Sequence, residues 1–543
     1  MTHSFKWFAI ISCEPLFVRL TAFWKDLRLA AAMVCFAGGV LLNIPAFGHS
    51  SPDWSLAYRF GGRGSDIGQA VKVDRDGNAY VTGAFSATGH FPSQPESAGK
   101  SLTSEGGTNS FLAKYDTSGT LKWLIQMGGP GDDEGFDIGF DAARNIYVTG
   151  MFTDSATFQG VSGSGRTVTG SGQTIFLAKY TPSGALAWVQ TGLAFNASNS
   201  GYGVAVEPVT GSVYVTGVSQ GDTTFSSSNG AIHTVSGAGY WHMFLVKYNV
   251  AGNFQWGVTN AAAPNSVGHK VAVDVDNYAY VTGWMEGQTV FYSNDGHDLT
   301  VDGFSGPVQT YPDYPGDAFV VRYDENGNLQ WVNHIGGYKA IGTDIATSRD
   351  GRVSITGFIG NIGNSPSQAA TIVTSQRGAS NINLGAGQLT QPYNKDAFFA
   401  TYDEDGVLLD AQRFGGTQDD GGSGIAYDRR GNLILAGIFQ GTIAIEGVTL
   451  TGKDPYNLFI AKFSRAEASC VAGFADHRPD WVAEADGPFS GDFENNPRIG
   501  LTSQGGVMVT GSYQPTAQFG SLKLGSAGLE DGFLAFLNAF EGH

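Results

Sequence analysis

The sequence predicts an all-β fold, a seven-bladed β-propeller built from four-stranded antiparallel blades, on three observations. A strand-like cassette that first appears as "NAYVTGAF" (residues 78–85) is written seven times. A second apolar motif, first seen as "FLAKY" at Phe111, follows it seven times in phase. The ends of the array are complementary, since it opens with a lone fourth strand and finishes one strand short.

Each unit opens with an apolar segment such as "GQAVKV" (68–73), strand one. "DRDGN" then turns the chain, Asp capping the turn and Gly supplying positive φ. Strand two is the cassette, which returns as "NIYVTGMF", "SVYVTGVS", "YAYVTGWM", "RVSITGFI", "NLILAGIF" and "GVMVTGSY". Its glycines (Gly83, Gly150, Gly217, Gly283, Gly357, Gly437 and Gly511) step by 67, 67, 66, 74, 80 and 74 residues. So apolar a strand is covered on both faces, and its glycine is expected to let neighbouring sheets approach closely. Long, dissimilar connections such as 86–110, 284–316 and 360–395 lead to strand three, the "FLAKY" motif. Turns such as "DTSGT" (116–120) and "DENGN" at Asp324 then give a tryptophan-led strand four, with "LLDAQRF" from Leu408 where the tryptophan is missing. The lone opening strand "WSLAYRF" (54–60) completes the last unit, which closes the ring and hides two sheet edges. An open solenoid is the alternative, and it needs no such split.

Glycine supplies 78 of 543 residues, about twice its usual share. Aromatic residues at 12% argue for many short packed strands and against a disordered chain. The net charge is −18. Residues 1–48 hold four basic side chains (Lys6, Arg19, Lys25, Arg28) and two acidic ones (Glu14, Asp26), so removing them leaves 27 basic against 47 acidic, or −20. A surface that negative repels nucleic-acid phosphates and anionic lipid, and neither is an expected partner.

Lys25 and Arg28 precede an apolar stretch from Leu29 to Phe47, and Ala46-Phe47-Gly48 forms a small-x-small cleavage pattern. Residues 1–48 are therefore read as a bacterial export signal, and 49–543 as a single propeller domain delivered to the periplasm, cell surface or medium. The alternative is a retained anchor, the apolar run being nearly long enough to span a bilayer, and membrane contact is expected only in that case. Of Cys13, Cys35 and Cys470, only the last survives cleavage, which leaves one thiol and no internal disulfide.

The segments "GSDIGQAVKVDRDGNAYVTG" and "FLAKYDTSGTLKW", with the "GG" after the fourth strand, resemble the bacterial SBBP β-propeller repeats. The resemblance covers residues 53–540. Units one and two match best, units three, four and seven lack the double glycine, and unit six lacks the tryptophan. It implies a propeller fold in an exported or cell-surface protein and no defined reaction, so no catalytic residue is carried over.

Loops leading into strand one share a face with those joining strands two and three, and unlike loops on a rigid rim suit a recognition surface. The lead-in loops repeat a glycine-acid pattern: "GGRGSD" to Asp66, "GGPGDD" to Asp132 and Asp133, "GGYKAIGTD" to Asp344, and "GGTQDD" to Asp419 and Asp420. These carboxylates either converge on the central mouth and hold a hard cation such as Ca2+, or stabilise their turns through backbone hydrogen bonds. The second reading is preferred because no loop has the dense D-x-D-x-D-G spacing. No cofactor is expected, and calcium stays open as the alternative. Catalytic signatures such as H-E-x-x-H and a serine elbow are missing from the sequence. His242, His269 and His334 fall in or near successive units but at different radii, which disfavours a shared metal site. The fourth-strand tryptophans are read as packing between blades; Trp241 and Trp284, near the unlike loops, are the candidate exposed aromatic contacts. The expected function is a monomeric exported scaffold that binds a protein or polysaccharide through the loop-rich face. Alternatives are an extracellular cation-assisted hydrolase or lyase using the central mouth, and a purely structural surface protein.

Overall fold

The computed structural model describes residues 52–194, 198–237, 241–262, 265–303, 316–336, 339–360, 371–374, 382–383, 394–465, 478–491 and 497–539. The expected export segment and all three cysteines lie outside these residues. Ser51–His543 is one compact unit. Among the described residues no helix is long and apolar enough to cross a membrane.

Strand pairing divides the described residues into seven four-stranded antiparallel sets, paired in the order one-two-three-four. The first set is Ile67–Val73, Ala79–Phe85, Asn109–Tyr115 and Leu121–Gly128. The next five begin with Glu134–Phe140, Ser200–Val206, Ser266–Val273, Ala340–Thr347 and Asp420–Tyr427. The seventh takes Arg498–Leu501, Val507–Tyr513 and Asp531–Asn538 from the end of the chain and Asp53–Gly62 from its beginning. Tyr58 lies opposite Leu534 and Phe60 opposite Gly532, so the two ends meet as neighbouring strands.

The aspartate turns form as the sequence predicts. Asp74 accepts hydrogen bonds from the amides of Asp76 and Asn78, both at 2.9 Å, and from the Tyr80 hydroxyl at 3.2 Å. Asp141 with Tyr147 and Asp274 with Tyr280 repeat the arrangement. The turn carboxylate therefore anchors the first aromatic ring of the cassette as well as the turn.

The cassette glycine has a different role from the one expected. A Cβ on Gly83 would lie 1.9 Å from the carbonyl oxygen of Ile67, and at Gly150, Gly217, Gly283 and Gly357 the obstacle is again the strand-one carbonyl of the same sheet. Strand one bulges there, its register shifting between Gly68 and Ala70, and this presses a carbonyl against strand two. Contact between neighbouring sets comes instead from the strand-one glycine and the cassette threonine. A Cβ on Gly68 would lie 2.0 Å from Thr510 Oγ1, and Gly135, Gly201, Gly268, Gly342 and Gly422 face Thr82, Thr149, Thr216, Thr282 and Thr356 in the same way. Each of these threonines donates to the carbonyl of the strand-three phenylalanine in its own set, as Thr82 does to Phe111 at 2.6 Å. The sixth set has Ala436 in this place and forgoes the bond.

The connections between strands two and three are more regular than their sequences suggest. Each carries a short hairpin that pairs with the fourth strand of the preceding set. Thr88–Phe91 pairs with Asp53–Gly62, and the later hairpins join Leu121–Gly128, Leu186–Ala194, Phe254–Ala262 and Leu329–Gly336. Single bridges, Gly415 with Ala444 and Asp486 with Gln518, do the same for the last two. In five of the seven hairpins, Phe91, Phe158, Phe225, Phe291 and Phe519 set a ring against the strand-three phenylalanine, with centroids 4.8–5.5 Å apart. The fourth-strand tryptophans also join sets, Trp256 and Trp331 donating their indole N–H to the carbonyls of Glu325 and Glu404 in the following set.

Candidate functional site

Three of the six candidate carboxylates occupy equivalent positions and are almost fully buried: Asp66 (0% exposed), Asp133 (1%) and Asp420 (0%). Each accepts one amide from the double glycine behind it and one from the end of its own strand two. For Asp66 these are Gly62 at 2.8 Å and Ser86 at 3.2 Å; for Asp133, Gly129 and Thr153; for Asp420, Gly416 and Gln440. Burial pushes the three carboxyls up to about 6, 7 and 9, against the opposing pull of those amides, and Asp396 adds to the rise at Asp420. Asp132 and Asp419 hold the start of strand three in the preceding set, through the amides of Thr108 at 2.9 Å and Lys395 at 3.0 Å. These five carboxylates thus tie loop ends to strands, each within its own pair of sets. Among the described residues no group of three or more His, Cys, Asp or Glu side chains is placed to hold a metal ion.

Asp344 departs from the grouping with the lead-in loops: it lies inside strand one, two residues past the strand-one glycine. The residues at this position in the seven sets are Ala70, Asp137, Gly203, Lys270, Asp344, Gly424 and Arg498. They make two matching bridges. Lys270 Nζ reaches back two sets to Asp137 at 3.3 Å and to the Phe136 carbonyl at 3.2 Å, and back one set to the Tyr202 carbonyl at 3.0 Å. Arg498 likewise reaches the carbonyls of Thr343, at 3.1 Å, and Ser423. Asp137 and Asp344 each accept the next amide in their own strand and one from the following set, Val204 at 3.1 Å and Ile425 at 2.9 Å. A glycine occupies the set crossed by each bridge, and a Cβ on Gly203 would lie 2.9 Å from the Lys270 Cα. Both side chains of the Lys270–Asp137 pair are only 7% exposed. Burial outweighs the nearby carboxylate and lowers the Lys270 ammonium to about 8.

The two candidate tryptophans share one cavity of about 230 Å³, which draws on the second to fifth sets. Trp241 stands at its rim, 37% exposed at the start of Trp241–Tyr248, while Trp284 is 9% exposed near the end of Ala279–Met285. Gly316 lies against the Trp284 ring, where a Cβ would come to 3.4 Å, and donor Ala340 N fixes it through its carbonyl at 2.9 Å. Tyr202 and His269 meet edge to face at 6.0 Å on the inner strands, and Gln173 and Ser200 add polar groups. His269 shares a hydrogen bond with the Gly342 carbonyl at 3.0 Å, and burial lowers its imidazole to about 4, so it is neutral at pH 7. The three histidines have separate surroundings: His242 bonds to Ser219 at 2.9 Å and His334 to Asp317 at 2.9 Å. The sequence marks His269 only as one of three scattered histidines and gives no sign of Tyr202 or Gln173, because only their places on adjoining strands bring the three together.

No protein-family model matches the chain. It is 25% identical over 480 residues to a protein described as "Uncharacterized WD repeat-containing protein L264" of Acanthamoeba polyphaga mimivirus, covering 75% of this chain and 33% of that one. The chain thus spans about a third of the length of the curated relative it matches. Among solved structures, Sqt1 from Chaetomium thermophilum is 12% identical with a TM-score of 0.25, covering 77% of this chain and 98% of its own. A puromycin hydrolase is 11% identical with a TM-score of 0.23, covering 84% and 59%. Superpositions this loose leave the fold to the chain's own pairing, which is that of a β-propeller repeat protein.

Proposed function

We propose that this chain is an exported seven-bladed β-propeller of the SBBP-repeat type, closed by its N-terminal strand, that acts as a binding scaffold for a protein or glycan at the envelope or outside the cell. The pairing of Asp53–Gly62 with Asp531–Asn538 supports closure, and the WD-repeat description of the viral relative agrees with a repeat-built propeller. The observation that carries the binding role is the cavity between four consecutive sets, walled by Trp241, Trp284 and Tyr202 and edged by polar groups. Concave, largely preformed sites with a few convergent polar groups are where ligands bind. The lead-in carboxylates are occupied with backbone amides, which favours a scaffold over carboxylate chemistry at the mouth.

The test is binding of the full chain to peptide and glycan arrays beside the Trp241→Ala variant. Retention on either array that falls with the substitution supports the reading, and retention indifferent to it moves binding elsewhere. Export is checked by sequencing the N-terminus of protein recovered from the expressing cell: a chain beginning at His49 supports a cleaved signal, and a retained Leu29–Phe47 segment supports the anchor.

A further inference from the structure

We infer that the Trp241–Trp284 cavity receives one pyranose ring, the end unit or a side branch of a glycan; this rests on the binding role proposed above. Four features of the cavity select that ligand. Its volume of about 230 Å³ falls below the roughly 300–1,000 Å³ of sites for larger molecules, so it takes a single ring or one large side chain. Two indoles and a phenol supply flat apolar faces, which suit the C–H face of a sugar. Gln173, Ser200 and His269 lie among those rings. An apolar peptide side chain would remove the half-buried Gln173 amide from water and return no hydrogen bond, whereas the hydroxyls on a sugar's edge offer both donors and acceptors. Lastly, among the described residues no carboxylate lines the cavity and the charged side chain there is that of Lys339, which disfavours a cationic ligand held against the aromatic rings.

The rigidity of the wall fits this role. Trp284 is packed by Gly316, which makes a single parallel bridge with Lys339, and Tyr202 is wedged between Phe136 at 5.0 Å and His269 at 6.0 Å. A ring that docks here meets surfaces already in place, so little is lost in ordering them.

The experiment is calorimetric and fluorescence titration of the full chain with methyl glycosides of glucose, galactose, mannose, N-acetylglucosamine and glucuronic acid, against N-acetyl-phenylalaninamide and N-acetyl-leucinamide. At least one glycoside is expected to bind saturably with a change in tryptophan emission, and the two amides are not. Trp241→Ala and Gln173→Ala are each expected to weaken that binding about tenfold, equivalent to about 1.4 kcal/mol. Because Trp241 is the exposed member, its variant keeps the wild-type melting temperature, which separates lost binding from lost folding. Saturable binding of an amide that depends on Trp241, with no glycoside bound, overturns the sugar and leaves the scaffold standing. Failure of both probe classes overturns the cavity as a binding site altogether.

Discussion

Replacing Lys270 with methionine tests whether the bridges between strand-one residues hold neighbouring sets together. The substitution keeps most of the side-chain volume and removes the ammonium. Asp137 keeps the amides of Ile138 at 2.9 Å and Val204 at 3.1 Å but loses its cation, and the Phe136 and Tyr202 carbonyls lose their donor. Breaking a buried pair from one side costs about 3–5 kcal/mol, because it strands the other charge. Asp137→Asn in the same chain removes the stranded charge, so the double variant is expected to recover about 1–2 kcal/mol relative to the sum of the single changes. Urea denaturation followed by tryptophan emission reads both numbers, with an unchanged slope showing that the folded and unfolded states are otherwise comparable. The effect also carries a sign in pH. Folding lowers Lys270 from 10.5 to about 8, so between those values the unfolded chain binds the extra proton and wild-type stability rises with pH. The methionine variant lacks that component, and its deficit widens from pH 7.5 to 10. A loss under about 1 kcal/mol that is additive with Asp137→Asn refutes the bridge as a source of stability.

Further outcomes follow from the other contacts. Asp420 is raised from 3.8 to about 9, so the stability it lends as a protonated acid is full below pH 3.8 and disappears as pH climbs through 9. Asp420→Asn, which copies Asn199 at the matching place in the third set, should therefore gain on wild type in denaturation measured from pH 5 to pH 9.5; a constant difference across that range contradicts the buried acid. Phe91→Ala removes a ring stacked on Phe60 at 5.6 Å and set against Phe111 at 4.8 Å, and should cost about 3–5 kcal/mol. It should also open residues 88–103 to limited proteolysis, and an unchanged cleavage pattern argues against the hairpin as a clasp. Calcium, compared with chelator in thermal melts, should leave the midpoint unchanged, since the lead-in carboxylates already accept backbone amides; a rise that grows with calcium concentration restores the cation reading.

Much of the repeat was legible because its turns are local. "DRDGN" specifies its hairpin within five residues, and the recurring cassette and "FLAKY" locate strands two and three. The cassette glycine departs from its sequence expectation because the carbonyl that obstructs a Cβ there, that of Ile67, belongs to a bulge inside the same sheet, which no local pattern shows. The hairpins had a signal that dissimilar loop lengths concealed. Eight residues beyond the cassette glycine stand Phe91, Phe158, Phe225, Phe291, Ile445 and Phe519, and only the fifth unit, with Ser365, breaks the pattern. The bridging residues also align in sequence, as "GFDIGF", "GYGVAV" and "GHKVAV" show, but the pairing of Lys270 with Asp137 across Gly203 depends on distances between strands that no linear pattern records. For the same reason the sequence places Trp241 and Trp284 near the unlike loops but shows neither the burial of Trp284 nor the meeting of Gln173, Tyr202 and His269 beside it.

The hairpin at Thr88–Phe91 bears on how the chain is assembled. Asp53–Gly62 is made well before its main partner, Asp531–Asn538, and the sequence separation of 481 from Ser55 to Phe536 imposes about 5 kcal/mol of closure entropy on their meeting. A bare apolar strand left waiting that long invites mispairing with other edges. Gly61 and Gly62 pair with His90 and Gly89 within the first unit, and Phe60 stacks on Phe91 there. The earliest strand can thus be parked on the first finished unit with its other edge facing outward, a docking berth kept open for the final strand of the chain.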